Sequence, residues 1–201
     1  MAEPGATKIA TVFGANGFVG RALTAHLEAQ GYAVRAITRG DVSWQDGDLG
    51  HAFYTVGLTA DFRSRPFDTI DAHVTLLTDI LKRARFSSLV YTSSTRVYMT
   101  TPSTNEDASV PVAPANPDHL YNISKLMGES VCLGSGRANV RVARLSNVFG
   151  RDLASENFLT SVLREATSTG RVTLRTSLAS EKDYVWVGDV VRALEAIAVR
   201  G

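Results

Sequence analysis

Lys8-Ile9-Ala10-Thr11-Val12-Phe13-Gly14-Ala15-Asn16-Gly17-Phe18-Val19-Gly20 settles the architecture before anything else in the chain does. Residues 8–13 are a short apolar, β-branched run closed by glycine, the pattern of a buried strand. Residues 18–30 then place Val19, Ala22, Leu23 and Leu27 at helical spacing, and Gly31 caps the end. A strand, a glycine turn and a helix in this order offer bare backbone N–H groups and a positive helix end at one point. Such a point suits a diphosphate. Gly14, Gly17 and Gly20 have the spacing G-x-x-G-x-x-G, with Asn16, Phe18 and Val19 between and beside them. In this context the turn reads as a dinucleotide site.

Outward from the turn, strand and helix patterns alternate. Strands are expected at 33–38, 52–57, 88–93, 139–145 and 183–187. Helices are expected at 66–84, with Pro66 near the start, around Tyr121 and Lys125, and at 156–168 and 189–199. A loop rich in Thr, Ser, Pro and Asn covers 99–117. The alternation predicts an α/β fold, a doubly wound parallel sheet with helices on both faces. Gly14, Ser93, Ser94 and Asn147 then fall just past strand ends, where such sheets bind ligands.

The end of the second strand separates two nicotinamide cofactors. NAD sites usually carry Asp or Glu there; this chain has Thr38 and Arg39. A guanidinium without a carboxylate suits a 2′-phosphate, so NADP is favoured, with NAD open. The bland reading makes Arg39 a solvated loop residue.

Tyr121 and Lys125 lie four apart in Tyr121-Asn122-Ile123-Ser124-Lys125 and share a helix face. A free phenol has a pKa of about 10, too high for a base at neutral pH. A cation about 4 Å away, at an effective dielectric of about 20, contributes roughly 4 kcal/mol, about three pKa units. Lys125 and a cationic nicotinamide are therefore expected to draw Tyr121 toward neutrality. Ser93 or Ser94, ending its strand, can bind the substrate oxygen and hold the phenol hydroxyl. An exposed Tyr–Lys face and a serine-rich turn are the ordinary alternatives.

Composition narrows the rest. The chain has 201 residues, 44% apolar and 20% charged, enough for one core and one domain over 1–201. A net charge of +1, with 21 scattered Lys and Arg, gives no pull toward nucleic acid or anionic lipid. Cys132 is the sole cysteine, so neither an internal disulfide nor a CxxC metal site forms; it reads as a small apolar helix residue. His26, His51, His73 and His119 lack metal-ligand spacing and read as surface or satisfied histidines. Residues 1–5 are polar and short, nothing resembles a signal peptide or membrane span, and a cytoplasmic place is the default.

From Lys8 to about Ala198 the chain resembles the extended short-chain dehydrogenase/reductase superfamily, in particular the NAD(P)-dependent sugar epimerase/dehydratase family. The residues that carry this are the glycine turn, Ser93-Ser94-Thr95-Arg96-Val97-Tyr98, Glu106, Tyr121-x-x-x-Lys125, Arg144-Leu145-Ser146-Asn147-Val148-Phe149-Gly150 and Lys182-Asp183-Tyr184-Val185-Trp186-Val187-Gly188-Asp189. The resemblance implies a Rossmann-type domain, with residues 147–201 on the substrate side. It implies Tyr121 as acid/base, Ser94 as the catalytic hydroxyl, and Lys125 on the nicotinamide ribose. It places Ser94, Thr95 and Asn147 toward a nucleotide sugar, and it makes a homodimer through the 66–84 helix plausible.

Departures from the family pattern are as informative. Only about a dozen residues, Asp41 to Leu49 among them, stand where relatives place a third strand and its crossover helix, too few for both. Val56-Gly57 replaces Ala-Ala, Met99 replaces Gly, and Lys182 replaces Arg. The substrate lobe is expected to be reduced, since relatives continue further. Dehydratases and decarboxylases carry carboxylates after the catalytic hydroxyl, whereas this chain has Thr95-Arg96. That leaves hydride transfer with Ser94 and Tyr121: C4 epimerisation or keto-reduction of a nucleotide sugar. The alternatives are an NADPH-dependent reductase of a non-sugar ketone and a non-catalytic dinucleotide-binding protein.

Overall fold

The computed structural model describes residues 7–152, 157–174, 177 and 179–200. The polar start at 1–5 and the expected first residue of the 156–168 helix lie outside them. Five strands, β1 (Ile9–Phe13), β2 (Ala33–Ile37), β3 (His51–Tyr54), β4 (Ser88–Ser94) and β5 (Val140–Leu145), form one sheet in the order β2-β1-β3-β4-β5. Every pairing in it is parallel. Helices α1 (Phe18–Ala29), α2 (Pro66–Ile70), α3 (Leu76–Arg83), α4 (Leu120–Gly134), α5 (Phe158–Thr169) and α6 (Val187–Arg200) complete the chain with a small parallel pair, β6 (Asn147–Phe149) and β7 (Tyr184–Trp186).

Strand alternation divides the core between the two faces. Ala10, Val12, Phe53 and Val90 point to one side, packing with Leu23 and Leu27 of α1 and Val190, Val191 and Leu194 of α6. Phe13, Ala52, Tyr54, Leu89 and Tyr91 point to the other, against Leu77, Ile80 and Leu81 of α3 and Cys132 of α4. The strand order reverses at β1, which has β2 on one side and β3 on the other, so the crevice for a ligand opens beside Gly14.

Three details differ from the sequence reading. β3 ends at Tyr54, not at 57: Thr55 N–H still reaches the Phe13 carbonyl at 3.0 Å, and Val56-Gly57 then leave the sheet. The expected 66–84 helix is interrupted by a π turn at Asp71–Thr75, between α2 and α3. Asn147–Phe149 is a strand that three residues were too few to announce.

The short stretch after β2 holds only a 3₁₀ turn, Ser43–Gln45, as its length required. Trp44, 3% exposed, fills the space there and meets Phe13 edge to face at 6.2 Å.

Candidate active site

The glycine turn is shaped by contacts that no side chain would permit. Gly14 has φ +81°, and a Cβ on it would stand 3.0 Å from the Thr55 carbonyl carbon and the Val56 nitrogen. A Cβ on Gly20 would collide with the Gly14 carbonyl. The turn is pinned to the β2 end by Gly14 N–H and Ala15 N–H, both donated to the Ile37 carbonyl at 3.0 and 3.2 Å. Gly17 precedes α1 without a side-chain cap, and no acidic residue occupies the first helical turn. The first N–H groups of α1 are therefore free of a competing carboxylate, and a dinucleotide diphosphate fits this cradle.

From that turn a cavity of about 640 Å³ runs along the carboxyl ends of the strands. Gly17, Phe18, Val19, Ser94, Thr95, Tyr121, Lys125 and Asn147 line it, joined by Thr55, Val56, Gly57 and Arg96. Gly14 and Gly20 shape the turn from behind. Asn16, Thr38 and Arg39 lie outside its wall: Asn16 and Arg39 are exposed, and Thr38 is half-buried. Asn147 is tied down rather than free, its Nδ2 donating to the Asp183 carbonyl at 2.9 Å.

Helix α4 presents Tyr121, Lys125 and Glu129, four apart, on one buried face. Tyr121 and Ser94 line the same cavity wall. The Tyr121 ring meets the His73 ring edge-on at 5.2 Å and the Phe62 ring at 5.7 Å. Burial pushes its pKa up; the nearby Ser94 hydroxyl and then the Arg96 charge draw it down. The sequence had assigned that pull to Lys125. In the structure Lys125 is 3% exposed, burial drives its own pKa down to about 7, and Glu129 opposes the shift. Its Nζ donates to the Thr92 carbonyl at 3.0 Å and lies 5.1 Å from the Tyr91 ring centroid.

Two supports were not foreseen. Glu129 accepts from Ser93 Oγ at 2.5 Å and from Arg144 Nη2 at 2.6 Å, and Arg144 continues to the Tyr98 hydroxyl. Ser93 and Arg144 are register partners across β4 and β5, so this network fixes the strand end that carries Ser94. The i+4 step from Lys125 to Glu129 was the available signal. His73, in the π turn, is the second support. Its Nδ1 meets Ser124 Oγ at 2.7 Å, and its Nε2 accepts the Leu58 N–H at 3.1 Å. It thereby links α4 to the segment that carries Gly57. His119 has a purely local role, its Nδ1 accepting the Ala113 N–H at 2.9 Å.

A family model described as the NAD dependent epimerase/dehydratase family matches residues 10–200. The chain belongs to that family. Its members are NAD-dependent enzymes. Among solved structures it is similar to MoeE5 in complex with UDP-glucose and NAD, with 23% identity, a TM-score of 0.76, and 96% of this chain matched to 72% of that one. The UDP-N-acetylglucosamine 4-epimerase of Methanobrevibacter ruminantium M1, in complex with UDP-N-acetylmuramic acid, gives 16% identity and a TM-score of 0.77 over 96% of this chain and 73% of that one. The dTDP-glucose 4,6-dehydratase of Bacillus anthracis, in complex with NAD, gives 21% and 0.73 over 98% and 72%. At these identities the likeness speaks for the fold. No curated protein sequence matches the chain. Among the described residues, no helix is long and apolar enough to cross a membrane.

Proposed function

We propose that this family member is an NAD(P)-dependent oxidoreductase or epimerase that acts on a carbinol or keto carbon of a nucleotide sugar, by C4 epimerisation or keto-reduction. The observation that carries the reading is that Tyr121, Lys125 and Ser94 meet in the wall of a cavity that begins at the glycine turn. The nicotinamide, when bound, supplies the reversible hydride acceptor. Gly14, Asn16, Gly17, Phe18, Val19 and Gly20 would hold its diphosphate, Thr38 and Arg39 the adenosine ribose, and Tyr121 and Lys125 the other ribose. In reduction, protonated Tyr121 gives its proton to the forming alkoxide; in oxidation it receives the hydroxyl proton as phenolate, which Ser94 and Arg96 favour. Ser94, Thr95 and Asn147 meet the sugar. The sugar-nucleotide complexes of structural neighbours support the substrate class.

The finer parts of the proposal rest on single features. NADP preference rests on Thr38 and Arg39 standing at the end of β2, where Asp or Glu would favour NAD. A homodimer rests on exposed Phe67 and Ile70 of α2 and Met127 and Leu133 of the neighbouring α4. One domain over 1–201, with 147–201 on the substrate side, rests on Asn147 and Val148 of β6 and on Lys182 lining the cavity.

The test is nicotinamide absorbance with UDP- and dTDP-sugars against small ketones, using NAD(H) and NADP(H). Turnover of a nucleotide sugar that vanishes in Tyr121→Phe, with dinucleotide binding retained, is the expected result. Persistent turnover in that variant removes Tyr121 from the chemistry; ketones as the sole substrates overturn the sugar assignment.

A further inference from the structure

Tyr121 belongs to the core of neither sheet face. It packs in a small cluster of its own with Leu58 and Phe62, and partly buried Leu120 lies against them. Leu58 and Phe62 come from one irregular segment, residues 55–65, which joins β3 to α2. Thr55, Val56, Gly57 and Thr59 of that segment line the cavity. Leu58 and Phe62, 9% and 2% exposed, are buried against Tyr121 instead. The Phe62 and Tyr121 ring centroids are 5.7 Å apart, with the planes at 54°. The segment is fastened on both sides of this contact. Leu58 N–H is donated to His73 Nε2 at 3.1 Å. Arg63, 4.4 Å from the Phe62 centroid, pairs with Asp118, two residues before α4. The turn that carries Arg63 is closed by Ser64 N–H and Arg65 N–H, donated to the Asp61 carbonyl at 3.1 and 3.0 Å.

An apolar cover of this kind takes water from a phenol without adding charge, and it holds the ring in one orientation, which proton transfer over hydrogen-bond distance demands. We propose that residues 58–63 form a brace that seats the Tyr121 ring and shuts water out on that side, with Phe62 as the positioning residue. Burial is the largest influence on the Tyr121 pKa and raises it, ahead of the nearby Ser94 hydroxyl and the Arg96 charge. The charged and titratable groups around the ring are Lys125 on α4, Tyr91 on β4, Arg96 after it and His73 in the π turn. Asp61, Arg63 and Arg65 lie on the segment itself, and Asp118 and His119 stand before α4. A neutral substitution at Phe62 alters none of these charges, so a changed Tyr121 ionisation reports water. It also wets Arg96, 5.5 Å from the Phe62 centroid, and weakens that cation's pull; burial is the larger influence, so the net shift is downward. Tyr121 works as phenolate in oxidation and as phenol in reduction. The acid limb of the one and the alkaline limb of the other therefore both move to lower pH when the cover is lost.

This inference rests on Tyr121 as the proton carrier, and its first test needs no substrate. Tyrosinate absorbance of the full chain is followed with rising pH for the wild type, Phe62→Ala and Phe62→Leu, each against its own Tyr121→Phe counterpart, so that the difference isolates one phenol. Tyr121 is expected to ionise at lower pH in Phe62→Ala, with Phe62→Leu, which keeps an apolar cover, between it and the wild type. Ionisation at the wild-type pH in both variants overturns the brace; where the alanine variant does not fold, the leucine variant decides alone. With a substrate that the wild type turns over, kcat in Phe62→Ala is expected to fall roughly ten- to hundredfold while KM and dinucleotide affinity stay within about twofold. Both pH limbs move down with it. A loss confined to KM, or limbs that do not move, overturns the positioning role. A wild type that turns over no nucleotide sugar overturns the proposed function and leaves the absorbance result to decide the brace.

Discussion

Replacing His73 by glutamine should flatten the acid side of the stability curve. Ser124 donates its one hydroxyl proton to the Tyr121 carbonyl at 2.9 Å, so His73 Nδ1 must donate to Ser124 Oγ. Nε2 accepts the Leu58 N–H and holds no proton. Both ring nitrogens are committed to the neutral form, in a residue with no exposed surface. Burial first, and the Lys125 charge second, push the His73 pKa down to about 3. The two are close: a Cβ on Gly57 would lie 3.7 Å from both His73 Nε2 and Lys125 Nζ.

Unfolded His73 takes a proton near its ordinary pKa of about 6.5, whereas the folded residue resists until about 3. Its contribution to stability is complete above the unfolded value and is lost as pH falls toward the folded one. Between those limits the loss approaches 1.4 kcal/mol per pH unit, or about 2.7 kcal/mol from about pH 8 to about pH 4.5. Urea unfolding at fixed ionic strength, for the wild type and His73→Gln, measures it. Carboxylates titrate in both proteins and cancel in the difference. Glutamine shifts the whole curve through lost ring contacts, but only the slope bears on the argument. Parallel curves down to about pH 4.5 would show that the buried imidazole is not held neutral.

Trp44→Ala should lower the unfolding free energy by about 3–5 kcal/mol in a denaturant melt, since it empties the space beside Phe13; an unchanged midpoint would mean the 41–49 loop adds nothing to the core. Gly20→Ala should cost about 1–3 kcal/mol through the clash with the Gly14 carbonyl and weaken dinucleotide binding in a calorimetric titration; full affinity would remove the turn from the site. Glu129→Ala should cost about 3–5 kcal/mol by stranding Arg144, whose side chain is 19% exposed. In that variant Ser93 loses its acceptor, and a melting temperature equal to wild type would show that the network is ornamental.

The glycine turn and its strand and helix were legible because period and punctuation agree: β-branched run, glycine, apolar residues at helical spacing. Tyr121 and Lys125 were legible as a pair, but their electrostatics were not. Spacing on a helix says which side chains share a face and nothing about how much water is left there. Lys125, fully packed, spends its proton affinity on desolvation, so Ser94 and Arg96 act on the phenol instead. His73 illustrates a second limit. Helical periodicity at 66–84 marks it as inward-facing, but the π turn that aims its nitrogens is a register change without a sequence signature. Arg144 and Ser93 illustrate a third, because their neighbourhood exists only once β4 and β5 are paired.

Among the described residues, the short stretch between β2 and β3 adds no further strand to the sheet. β2 has β1 as its only described neighbour, so its far edge would offer unpaired backbone groups to any passing strand. Arg35 answers locally: its guanidinium binds the Ser43 carbonyl at 2.6 Å and the Asp46 carbonyl at 3.0 Å, folding the loop back over the edge. Trp44 closes the core beneath. Both devices act at the β2 side, far in the strand order from the β4 end that carries Ser94 and from α4, which carries Tyr121 and Lys125. The short stretch also leaves Arg39 exposed at the end of β2. A substitution at Arg39 should accordingly change which dinucleotide binds and leave the proton-transfer geometry intact. One at Glu129 should do the reverse, because it accepts from Ser93, next to Ser94 on the same strand.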